Sequence, residues 1–226
     1  MADFRGTFGS QLYAAVKKDI FYARSRNHAS SLHAALDSDN IPESVYHTLI
    51  ERVHERLPVF HRYLALRKRM LGVETLRYSD LYAPVVKDCG LSYSYSDGAD
   101  TIMESLKKMG RSYTEAAQKA FSGRWIDVYP SRGKRSGAYC CDGGYGIHPY
   151  MLLNYNDKYQ DMSTLAHELG HAMHTYFSNR KQPYPLSGYS IFVAEVASTL
   201  NEAMLKDYLV SSISDPDIRL SLLMEY

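Results

Sequence analysis

The sequence predicts a mainly α-helical fold with a small antiparallel β-sheet beside one helix that carries an HExxH motif. Three observations predict it. Apolar residues recur at helical spacing over most of the 226 residues. From Arg124 to Asn156 the texture changes to glycine, tyrosine and β-branched residues between turn signals. Helical periodicity then resumes around His167-Glu168-Leu169-Gly170-His171.

Gly9 to Arg24 places Leu12, Val16, Ile20 and Phe21 at helical spacing, and a short helix is expected over Ala29 to Asp37. Pro42 suits a helix N1 position and opens a long segment to Leu71, which Pro58 is expected to kink or split. Its basic run Arg67-Lys68-Arg69 reads as a solvated helix face. Ser96-Asp97 is expected to cap a helix through Met109, with Gly110 as terminator, and another helix covers Ser112 to Phe121. Trp125 to Tyr129, Gly137 to Cys140 and Tyr150 to Asn154 read as strands. Helices resume near Asp161, Ser190 and Asp215-Pro216-Asp217. The chain is thus expected to form one unit over 1–226, helical over 1–123, with the sheet over 124–156 and motif-bearing helices over 157–226.

Composition narrows the function classes. Hydrophobic residues make up 45% and charged residues 23%, as in ordinary globular proteins. A net charge of +1 removes the electrostatic argument for nucleic acid or an anionic membrane surface as partner. Three cysteines, Cys89, Cys140 and Cys141, are too few and odd in number for a disulfide framework. Ala2-Asp3-Phe4-Arg5-Gly6 lacks the apolar core of a signal peptide, and no run of about 18 apolar residues is present. A cytoplasmic enzyme is the expectation, with Cys140 and Cys141 as buried, reduced side chains.

His167 and His171 stand four residues apart, so on a helix both imidazoles lie on one face and reach one metal ion. Glu168, rotated by about 100°, faces a metal-activated water without ligating and is the candidate general base. Met162, Leu165, Ala166, Leu169, Ala172 and Met173 make the surrounding helix strongly apolar. Two histidines and a glutamate there would cost stability unless paired or metal-bound. One Zn2+ per chain is the expected cofactor, although two imidazoles and a carboxylate suit several divalent ions.

Catalytic zinc needs a third protein ligand. A metzincin set requires glycine at 174 and histidine at 177, where this chain has His174 and Phe177. Glu195, an acid in the apolar stretch Phe192 to Ser198, is the better candidate, and Glu202, two turns on, is the alternative. His174 reads as a packing histidine. Gly170 lowers helix propensity, which points to close packing against the sheet or the Glu195 helix.

The sequence also resembles the thimet-type oligopeptidases of peptidase family M3, and most closely the bacterial oligoendopeptidase F group. The resemblance runs through Lys17 to Ala23, Asn40-Ile41-Pro42, His61 to Leu64, Asp80-Leu81-Tyr82, Arg124 to Tyr129, Gly133 to Tyr139, His148-Pro149-Tyr150 and Leu165 to His174. It implies a mostly helical fold around a narrow channel that admits short oligopeptides. It implies His167, His171 and Glu195 as zinc ligands and Glu168 as general base. It implies that Gly137, Ala138 and Tyr139 line the cleft and bind an extended peptide by strand addition. Members of the family are longer. The resemblance therefore implies that their amino-terminal lobe, and a carboxy-terminal helical region supplying a histidine and tyrosines to the transition state, are absent here. The remainder of such an enzyme is an expected partner. The expected activity is hydrolysis of internal bonds of short oligopeptides. A zinc carboxypeptidase and a catalytically incomplete peptide-binding zinc module are the alternatives.

Overall fold

The structure, a computed structural model, describes residues 2–86 and 92–224. Cys89 lies outside the described residues. The chain divides into two compact units, Met1–Leu76 and Arg77–Tyr226.

The first unit holds α1 (Arg5–Ser25), α2 (Ser31–Asp37) and α3 (Glu43–Leu71). Asn27, with φ 60°, reverses the chain after α1, and the Ser30 hydroxyl caps α2 by accepting from the His33 N–H at 2.9 Å. Pro42 is the N-cap of α3 rather than its first helical residue. Of the two effects expected of Pro58, splitting does not occur: α3 runs unbroken through it. It removes one N–H from the helical ladder, and because His54 is exposed, water can satisfy the freed carbonyl.

The second unit holds α4 (Tyr95–Ser105), α5 (Arg111–Ser122), α6 (Tyr159–Lys181), α7 (Ile191–Ser212) and α8 (Pro216–Met224), with β1 (Ile126–Asp127), β2 (Tyr139–Cys141) and β3 (Tyr150–Leu152) between α5 and α6. The cap of α4 is Ser94, two residues before the expected one. Its hydroxyl accepts from the Asp97 N–H at 3.1 Å and donates to the Asp97 carboxylate at 2.7 Å. Continuing from α4, Leu106–Met109 tightens to a 3-10 turn that ends at Gly110, φ 85°.

The sheet is mixed rather than antiparallel. Its order is β1-β3-β2, with β1 parallel to β3 and β2 antiparallel to β3. The chain reverses twice between β1 and β3. It first passes to the far edge to form β2, then turns back, so β3 regains the direction of β1. The β1 ladder continues past its ends through Met151 N–H to Trp125 O and Leu153 N–H to Asp127 O, both 2.8 Å.

One apolar core joins the sheet to the helices: Ile102 and Leu106 beside α4, Ala117 and Ala120 of α5, Met151 and Leu153, and Met162, Leu165, Leu169 and Met173 of α6 are all buried. On α6 the burial extends to Glu168, 7% exposed. This helix packs closely on α7 at Gly170, where a Cβ would lie 2.6 Å from Ser198 Cα and 2.7 Å from Ala197 O. The close packing expected of Gly170 is therefore against the helix that carries Glu195.

Candidate metal centre

Two helices bring three donor groups together. On α6, His167 and His171 stand one turn apart with their Nε2 atoms 3.1 Å from each other. From α7, Glu195 Oε2 lies 3.3 Å from His167 Nε2 and 3.5 Å from His171 Nε2. Three donors about 2.0–2.1 Å from one tetrahedral ion would be separated by roughly 3.3–3.4 Å. The triangle has that size, so the donor set and its spacing fit a divalent cation.

The electrostatics agree with that use. Burial, reinforced by His167 nearby, lowers the pKa of His171 and favours the neutral imidazole that can ligate. Ser198 donates to Glu195 Oε2 at 2.7 Å; with the two imidazoles, this hydrogen bond holds the Glu195 carboxyl below the usual carboxylate range. Glu202, two turns further along the same face of α7, contacts Nδ1 of His167 and is not part of the triangle. A carboxylate on the far ring nitrogen fixes the tautomer and orientation of a ligating histidine.

Glu168 sits beside the triangle. Burial pushes its pKa up, as do Glu195 and Glu202, while His167 and the backbone N–H of Cys140 favour the charged form. That N–H donates to the Glu168 carboxylate from β2, an edge strand of the sheet. Gly137 and Ala138 line a cleft of about 250 Å³ with Asn154, Asp161 and Thr164, the last one turn before Glu168 on α6. The Asn154 amide pins this segment by donating to the carbonyls of Arg135 at 3.0 Å and Gly137 at 2.8 Å. Tyr139 instead faces a separate groove on the sheet, lined also by Cys141 and Tyr150.

Other singled-out residues stand apart from this chemistry. The His174 ring stacks on Tyr189 with centroids 3.7 Å apart, as a packing histidine should. Burial pushes the Cys140 thiol up to about 12, which keeps it protonated. Cys141, expected to be buried, is exposed, and both thiols are free. Sequence reasoning missed Ser198 and the Cys140 N–H. A serine three residues after Glu195 was the one available signal for the first, and a backbone donor leaves none.

The sequence pattern of Peptidase family M3 matches residues 10–224. Oligopeptidase PepF of Bacillus subtilis is 43% identical over 220 residues, which are 97% of this chain and 33% of that protein. Group B oligopeptidase PepB of Streptococcus agalactiae is 40% identical over 99% of this chain and 37% of its own length. Among solved structures, oligoendopeptidase-F from Enterococcus faecium superposes with a TM-score of 0.65 at 32% identity, over 100% of this chain and 32% of that one. A candidate peptidase from Chlamydophila abortus gives 0.84 at 36% identity, over 99% and 37%. The chain spans about a third of the length of the relatives it matches.

Proposed function

Because this chain belongs to peptidase family M3, we propose that it carries the metal site and general base of a zinc-dependent endopeptidase acting on short oligopeptides. The donor triangle of His167, His171 and Glu195, with edges of 3.1, 3.3 and 3.5 Å, carries the proposal. A divalent ion held there supplies Lewis acidity to the scissile carbonyl and to the attacking water.

The remaining roles fall to the chain itself. Glu168 accepts the proton of the attacking water on its carboxylate and passes it to the leaving amine nitrogen. Its raised pKa suits a group that must take up a proton and then release it. Glu202 holds His167 by Nδ1, and Ser198 holds Glu195 by Oε2, so the donors are oriented before substrate arrives. Substrate binds as an added strand on the outer edge of β2. Backbone groups along a strand alternate in direction, and the Cys140 N–H points off the ladder to Glu168. Ala138, two residues earlier, shares that orientation and is the pairing position. Gly137 and Tyr139 shape the edge on either side. A peptide paired there runs past the general base. Two free thiols are compatible with a reducing, cytoplasmic setting.

The test is hydrolysis of an internally quenched oligopeptide blocked at both ends, by the zinc-loaded chain and by Glu168→Gln. The expected result is internal cleavage that falls about 10²–10⁴-fold in the variant while bound zinc is unchanged. Equal rates in the two proteins would overturn the proposal, and no cleavage by a parent chain that binds zinc would replace it with a catalytically incomplete peptide-binding zinc module. Cleavage confined to peptides with a free carboxy terminus would replace it with a carboxypeptidase.

A further inference from the structure

The first unit contains a second cluster with metal-ligand chemistry, sharing no residue with the centre on α6 and α7. His28, His33 and Asp37 each offer one donor atom, and these atoms lie within 4.8 Å of one another. The two imidazoles face each other through Nδ1 at 3.0 Å, with ring centroids 5.1 Å apart and planes tilted by 50°. Nitrogens in that relation either share one proton or direct two lone pairs at one cation. The 3.0 Å between the two nitrogens is close to the spacing of roughly 3.3–3.4 Å around an ion with metal–nitrogen bonds near 2.0–2.1 Å.

Each donor is held by local structure. At the end of α1 the His28 N–H bonds back to Ala23 O at 2.9 Å, and Asn27, with φ 60°, supplies the left-handed residue that this cap requires. On α2, His33 is fixed by its N–H to the capping Ser30 hydroxyl. Asp37 follows His33 by one turn, so its carboxylate lies on the same face. Asp37 is also the last residue of α2, where the negative end of the helix dipole disfavours a carboxylate. Among the described residues no salt bridge compensates it. A cation between Asp37 and the two imidazoles would.

We infer that His28, His33 and Asp37 form a second divalent-cation site, of the zinc class, which clamps the end of α1 to α2. Two imidazoles and one carboxylate select first-row ions that favour nitrogen, over calcium or magnesium. The site needs no substrate. Its effect is to close the corner between the helices, next to Arg24 and Arg26.

The experiment counts metal in the full chain after zinc loading and dialysis, and repeats the count with Co2+. The parent chain is expected to hold two equivalents, and both His33→Ala and the double variant His167→Ala/His171→Ala one each. Trypsin cleavage after Arg24 and Arg26 is read alongside, because a variant that misfolds would lose both metals. Zinc at ten times its dissociation constant should slow that cleavage about tenfold in the parent and in the double variant, and not at all in His33→Ala. One equivalent in the parent that survives His33→Ala would overturn the inference, as would cleavage indifferent to zinc. One equivalent that survives the double variant and is lost in His33→Ala would uphold it and remove the catalytic proposal instead.

Discussion

Glu202, two turns after Glu195 on the same face, reads in the sequence as the runner-up ligand and more readily as a carboxylate that supports the ligands or is partly exposed. The contact with His167 Nδ1 suits the second reading, a carboxylate that orients the proposed ligand His167. Replacing Glu202 by Gln should weaken zinc affinity about 10–100-fold, measured by competition with a chromophoric chelator, with the same three ligating residues retained. An unchanged affinity would mean the contact orients nothing. HExxH was readable because its spacing maps directly onto one helix face, and Glu195 because an acid in an apolar helix needs a partner. The sequence marks Ser198 only by its place three residues after Glu195, and in the structure it is fully buried and donates to Glu195.

At the scale of elements, the site depends on how closely α6 and α7 approach. Gly170 permits that approach, since both atoms nearest its absent Cβ belong to the α7 backbone. Gly170→Ala must therefore push α7 outward and move Glu195 away from the histidines. It should cost about 1–3 kcal/mol despite the gain in helix propensity. Zinc affinity should fall with it. The control is Gly6→Ala in α1, where a Cβ meets nothing within 4 Å; this change should be neutral or stabilising by up to about 1 kcal/mol. Thermal melts and the chelator assay check both variants. Asn201 ties the same helices together: its amide donates to Ala166 O at 3.1 Å, and its carbonyl accepts from the Tyr113 hydroxyl at 2.8 Å. Helices in this unit were legible to within a few residues because periodicity and caps are local. Strand direction was not, because the path from β1 to the far edge, rather than any strand residue, makes β1 and β3 parallel.

Across the whole molecule the two units differ in how they use apolar residues. In the second unit the apolar faces of α4, α5 and α6 are buried together. In the first, Leu12 and Val16 stand at helical spacing yet are 69% and 48% exposed. Periodicity there predicted the helix correctly and did not predict burial, which depends on what lies against the face. The described residues contain no helix long and apolar enough to cross a membrane. Burial in the second unit also sets a pH limit. It pushes the Tyr95 and Tyr113 phenols up to about 12, and Tyr155 upward as well. Unfolded tyrosine titrates near 10. The folded state thus favours the neutral phenol, and this contribution to stability is complete below about pH 10 and lost between about 10 and 12. Tyrosinate absorbance should rise in two phases, the later one coinciding with loss of helical circular dichroism. A single phase near pH 10 with helicity intact would contradict the burial of these rings.

The most direct test of the central claim is an anomalous difference map, at the zinc edge, from a crystal of the zinc-loaded chain. It resolves each bound ion separately and needs no assumption about turnover. The account predicts a peak about 2.0–2.2 Å from His167 Nε2, His171 Nε2 and Glu195 Oε2 together, with Glu202 on the far side of the His167 ring. A peak bound by the two histidines without Glu195, or no peak between α6 and α7 at saturating zinc, would contradict it.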